Sequence, residues 1–72
     1  MNKEIRALFD SVTTIDKIIN GQETPGVDSK LAVSMNIEAI DRGLNTPDTR
    51  QQLTLGQITE LEAGIARGRA FL

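Results

Sequence analysis

The chain has 72 residues, with no cysteine and no histidine. That length holds one domain and a core worth only roughly 3 to 5 kcal/mol, and without thiols or imidazoles neither a disulfide nor a zinc site is expected to reinforce it, so self-association is the expected reinforcement. Eight basic and ten acidic residues give a net charge of −2, with both signs scattered, so the chain offers no broad basic field to nucleic acid or to an anionic membrane.

The first predicted helix covers about residues 2–20. Ile5, Leu8, Val12, Ile15 and Ile19 recur at alternating spacings of three and four, the stripe of one helix face, and Phe9 and Ile18 widen it. Asn2 is placed to cap its start, and Gly21 to end it in the left-handed conformation. Thr13 and Thr14 are poor helix formers within it and mark the place for a kink.

The second predicted helix covers about residues 25–42. Thr24 offers its hydroxyl to the unpaired N–H groups of the first turn, and Pro25 stands where a missing N–H costs nothing. On a helical wheel its apolar residues form two lobes, Val27, Leu31 and Met35 in one and Val33, Ile37, Ile40 and Leu44 in the other, with Lys30, Ser34, Glu38 and Asp41 between them. So wide an arc suits a helix packed on two neighbours, or on one neighbour and a second subunit. Val33, Ile37, Ile40 and Leu44 are therefore candidate interface residues.

The third predicted helix covers about residues 47–70 and opens on Thr46-Pro47, the same pair of signals. Ile58, Leu61, Ile65, Gly68 and Leu72 form its stripe, with Leu53, Leu55 and Phe71 alongside. Each interior glycine costs roughly 1 kcal/mol relative to alanine, so Gly64 and Gly68 need a reason. Fraying or a stop at Gly64 is the preferred reading. Close approach of another helix is the alternative, and it adds Gly64, Gly68 and Phe71 to the candidate interface.

Ile15-Asp-Lys-Ile18-Ile-Asn-Gly21-Gln-Glu-Thr24-Pro25 recurs 22 residues later as Ile37-Glu-Ala-Ile40-Asp-Arg-Gly43-Leu-Asn-Thr46-Pro47. Both copies read as a glycine stop followed by a threonine-proline start. Joints this short leave no length for a crossover, which predicts an all-α, up-down-up antiparallel bundle of three helices that self-associates.

Nucleophilic catalysis through a Ser-His or Cys-His pair has no residues to run on. The carboxylate pairs Glu38 with Asp41 and Glu60 with Glu62 read as solvated surface, no segment reads as a strand with a phosphate-binding loop, and no cofactor is implied. No enzyme is expected.

Leu31 to Pro47 resembles part of a helix-turn-helix of the phage-repressor kind, with Ala32 as its small residue, Asn36 at the turn and Ile37 as the apolar residue that follows. Ile40-Asp41-Arg42-Gly43 and Pro47 are similar to the end of its recognition helix. The resemblance implies DNA binding, but the reading segment would turn Glu38 and Asp41 toward phosphate with Arg42 as its only cation. One continuous helix through Asn36 is the preferred reading. The proline period also resembles that of exchangeable apolipoproteins, although no tryptophan or lysine-rich border accompanies it.

Arg67 and Arg69 suit the helix dipole near the C-terminal end of the third helix, and they are also candidates for contact with an anion or an acidic partner. No apolar run is long enough to span a bilayer and no secretory signal is evident, so a soluble, cytoplasmic chain is expected. Taken together, these features favour a non-enzymatic protein-interaction module, of the size class of phage or bacterial accessory proteins that act as adaptors or inhibitors. A DNA-binding regulator and a small-ligand or nucleotide-binding oligomer are the alternatives.

Overall fold

The computed structural model describes residues 2–21 and 28–72, and among them are four helices and no strand. α1 (Lys3–Ile19) starts as its sequence dictates: the Asn2 side-chain oxygen accepts from the Ile5 N–H at 2.8 Å. It runs through Thr13 and Thr14 without interruption, their hydroxyls donating to the carbonyls of Phe9 and Asp10. Gly21, at φ 87°, turns the chain out of the helix while its N–H donates to the Ile18 carbonyl.

α2 (Ser29–Leu44) differs from expectation at both ends. Asp28, in extended conformation, caps it by accepting from the Leu31 N–H at 3.1 Å; the expected start at Thr24-Pro25 lies outside the described residues. At the other end Gly43 is not a left-handed stop. It lies inside the helix, and among the described residues Gly21 alone has positive φ. A methyl group on Gly43 would stand 2.5 Å from Cδ2 of Leu8, so this glycine is the place where α1 presses against α2.

The predicted third helix is two helices. α3 (Pro47–Gln51) is a short turn packed on α2, and α4 (Leu55–Phe71) follows after a break at residues 52–54. Proline does take the first position of α3, but Thr46 does not cap it: its hydroxyl donates back to the Arg42 carbonyl at 2.8 Å. The stronger start signal is Thr54. Its Oγ1 accepts from the Gln57 N–H at 3.1 Å, and Gln57 Oε1 accepts from the Thr54 N–H at 2.9 Å, a reciprocal capping box. The break also turns Leu53 into the core.

α4 then continues through Gly64 and Gly68, so the expected fraying or stop at Gly64 is overturned. A methyl on Gly64 would lie 2.9 Å from Val12 Cγ2, and one on Gly68 would lie 2.9 Å from Ile37 Cδ1 and 3.2 Å from Val33 Cγ1. Both glycines are bare because another helix needs the room.

α1, α2 and α4 each pack against the other two, around Ile15, Val33, Ile40 and Leu61, which are fully buried. Ile5, Leu8, Ile18, Ala32, Ile37, Leu44, Leu53 and Ile65 complete the core, with Phe9, Val12, Ile19, Ile58 and Phe71 partly buried against it. Among the described residues no helix is long and apolar enough to cross a membrane.

Candidate protein-contact surfaces

The two lobes of α2 have different fates. Val33, Ile37, Ile40 and Leu44 face inward, and with Gly64 and Gly68 they form the chain's own core, while Phe71 is half-buried on its edge. Apart from Phe71, these candidate interface residues are buried or nearly so within the chain's own packing. The other lobe faces solvent: Leu31 is 55% exposed and Met35 57%, one turn apart, and Val27 lies outside the described residues. Glu38 and Arg42 continue the same exposed face by one and two further turns.

The two candidate arginines are placed differently. Arg67 is held by Asp16 across α1 and α4 in a two-point ion pair, Nε to Oδ1 at 2.9 Å and Nη2 to Oδ2 at 3.1 Å. The hydrogen bond to Asp16 raises the guanidinium's affinity for its proton, slight desolvation opposes that, and the Asp16 charge adds to it. Arg69 lies in a shallow depression between α2 and α4 that also contains Asp41 and Glu62. Arg67 is thus paired within the chain, whereas Arg69 shares its depression with two carboxylates and forms an ion pair with neither.

Asn36 sits mid-helix, its Nδ2 donating to the Ala32 carbonyl at 2.7 Å. The turn a helix-turn-helix needs at this position is replaced by continuous α2, as the preferred reading of the segment expected. Glu60 and Glu62 are both exposed and lie in different depressions, Glu60 beside Phe9 and Val12, Glu62 beside Asp41. Among the described residues no group of three metal-ligating side chains comes together, and no buried side-chain polar atom lacks a hydrogen-bond partner.

A surface that the sequence reading missed occupies the corner where α2 ends, α3 turns and α4 begins. There an open groove of about 700 Å³ has Leu44, Leu53, Ile58 and Pro47 as its apolar lining and Asn45, Gln51 and Arg50 as its polar lining. Arg50 is positioned by Nη1, which donates to the Leu44 carbonyl at 3.1 Å. Leu55, the first residue of α4, is 84% exposed. The signal that locates this corner is Thr54-x-x-Gln57, since that capping box breaks the third helix and creates the angle. In comparisons with protein-family models, curated proteins and solved structures, nothing matches the chain.

Proposed function

We propose that the chain is a small helical protein-interaction module, acting by contact and not by catalysis, as an adaptor for another protein or an inhibitor of it. In the proposed arrangement α1, α2 and α4 alternate in direction. The approach of Leu8 to Gly43, of Gly68 to Val33 and Ile37, and of Arg67 to Asp16 supports that alternation. The proposed setting is the cytoplasm of a bacterium, or of one carrying a phage, in keeping with a short, cysteine-free chain. Association with a second copy belongs to the same reading, because a core of this size gains from added buried surface.

The observation that carries the proposal is the pair Leu31 and Met35. A single exposed leucine is ordinary surface. Two large apolar side chains one turn apart, outside a core that is already closed, form a contact strip, and the flexible thioether of Met35 adapts to a partner's shape.

The test is capture from the lysate of the native host on immobilised chain, with quantitative mass spectrometry of what is retained. The wild type should retain a defined protein, and Leu31→Gln/Met35→Gln should lose it with its helical circular dichroism spectrum intact. Retention of nothing above a blank matrix, or retention indifferent to the double substitution, would overturn the proposal.

A further inference from the structure

We propose that the outer face of α2 pairs with the same face of a second copy of this chain, the two helices running antiparallel and crossing on a two-fold axis at Met35. The inference rests on the reading of Leu31 and Met35 as a contact strip and names what covers it. Asp28, Leu31, Met35, Glu38 and Arg42 follow one another at alternating spacings of three and four, so they form a single stripe; all five are exposed, on the side of α2 away from the buried Val33, Ile37 and Ile40. A two-fold contact between antiparallel helices brings residues equally far before and after the axis level with one another. About Met35, Leu31 stands four positions before and comes level with Ala39, four positions after, a small half-buried side chain that leaves the leucine room.

Charge selects the occupant, its direction and its register. Asp28 and Arg42 stand seven positions before and after Met35, so the Asp28 of each copy comes level with the Arg42 of the other. Asp28 caps α2 through Oδ1, so Oδ2 is not needed for the cap and can receive the guanidinium. Lys30 stands five positions before Met35, and the level five positions after it falls between Glu38 and Asp41, which lie on the same flank of the stripe as Lys30. These five are all the charged residues of α2 and its cap; all are exposed, and among the described residues the only ion pair is Arg67 with Asp16, so none of the five is engaged in one. In the antiparallel pair each meets an opposite charge. Parallel helices would set every charge against its own image, and an axis midway between Leu31 and Met35 would set Asp28 against Glu38, so both alternatives are repelled. One helix pair is a small interface, so the dimer should be weak, dissociating in about the micromolar range or above.

The chain has no cysteine, so a single introduced thiol reports the register. A residue on the axis faces its own image within reach of a disulfide, and a residue elsewhere does not. Under mild oxidation Met35→Cys should therefore link into dimers, and Leu55→Cys, at a more exposed position away from the contact, should link several-fold less. Sedimentation equilibrium on the full chain at concentrations up to about 1 mM should show dimers, and Leu31→Gln/Met35→Gln should weaken them by about tenfold or more. Arg42→Glu and Asp28→Lys should each weaken the dimer, whereas an equimolar mixture of the two variants should associate more strongly than either alone, because both cross-pairs then join opposite signs. Circular dichroism shows whether Asp28→Lys, which gives up the cap, still folds; the thiol comparison decides without it. A wild type that stays monomeric at about 1 mM, equal linking of the two thiol variants, or a mixture of folded variants no more associated than its components overturns the proposal. A monomer that still captures another protein through Leu31 and Met35 sinks this inference alone. A dimer of this register that captures no other protein sinks the adaptor or inhibitor reading and leaves the pairing standing.

Discussion

Replacing Gly43 by alanine sets two effects of opposite sign against each other. In an ordinary helix interior the change stabilises by about 1 kcal/mol, because glycine loses more backbone freedom on folding. Here the added methyl would stand 2.5 and 2.8 Å from the two methyls of Leu8 and 3.2 Å from its Cγ, and Leu8 is itself buried. Turning Leu8 about its last torsion moves the methyls but not Cγ, so either Leu8 turns about its first torsion within the packed core or α1 shifts. Overpacking of this kind costs about 1 to 3 kcal/mol, and the upper half of that range less the propensity gain leaves a net loss of about 1 to 2 kcal/mol. For a domain this small the loss corresponds to a Tm lower by roughly 4 to 16 °C. Gly56 is the control. A methyl there would meet only Thr54 Oγ1 at 3.8 Å, so Gly56→Ala should stabilise, by up to about 1 kcal/mol. The assay is urea denaturation followed by far-UV circular dichroism, since the chain has no tryptophan or tyrosine to report by fluorescence. In the Leu8→Ala background, where the obstructing methyls are gone, Gly43→Ala should cease to destabilise. If Gly43→Ala alone is as stabilising as Gly56→Ala, α1 and α2 do not meet at this glycine.

Thr54→Ala should lower stability by about 1 kcal/mol, whereas Thr46→Ala should cost only a few tenths, because Thr54 accepts from a backbone N–H at its helix start and Thr46 donates backwards to a carbonyl. Equal losses in denaturant titrations of the two variants would refute that distinction. Asp16→Asn should cost about 0 to 1 kcal/mol, since both partners of the Arg67 pair are nearly half exposed, and the loss should shrink further in about 1 M salt. A larger loss that salt does not touch would show the pair to be shielded from solvent. The raised proton affinity of Arg67 means that its contribution is present below the arginine range and lost only as pH rises through it, so titration of Arg67 should produce no change in stability around neutrality.

Features that depend on near neighbours in sequence were legible, and features that depend on what lies across the core were not. The stripe Ile5, Leu8, Ile15 and Ile18 and the left-handed Gly21 follow from helical spacing and one residue's conformational freedom. Gly43 sits in the same local pattern as Gly21, yet its role is set by Leu8, 35 positions earlier, and no local rule carries that information. Gly64 and Gly68 read as weakness in isolation and become close contacts once Val12, Val33 and Ile37 are opposite them. The capping box at Thr54 was readable in principle, but the three-four spacing of Ile58, Leu61 and Ile65, with Leu53 and Leu55 taken alongside it, reads as one helix from Pro47 and hides the box, and with it the corner groove. On α2 both lobes were visible in the sequence; which of them α1 and α4 would cover was not.

The same glycines bear on why apolar side chains remain outside. Had the core been loosely closed, Leu31, Met35 and Leu55 could be read as residues that failed to find room within it. Close approach at Gly43, Gly64 and Gly68 argues otherwise: α2 meets α1 at Gly43, and α4 meets α1 and α2 at Gly64 and Gly68, so a turn of α2 or α4 that brought the outer lobe inward would lose those contacts. Exposure of these three side chains is thus a consequence of the packing that stabilises the fold, and folding itself gains little from them. Replacing each by glutamine, a good helix former, should leave the stability of the isolated monomer within about 0.5 kcal/mol of wild type. Chemical denaturation measured at a concentration low enough to suppress association tests this directly. A loss of about 2 kcal/mol or more at any of the three positions would place that side chain in the core and remove it from the candidate contact surfaces.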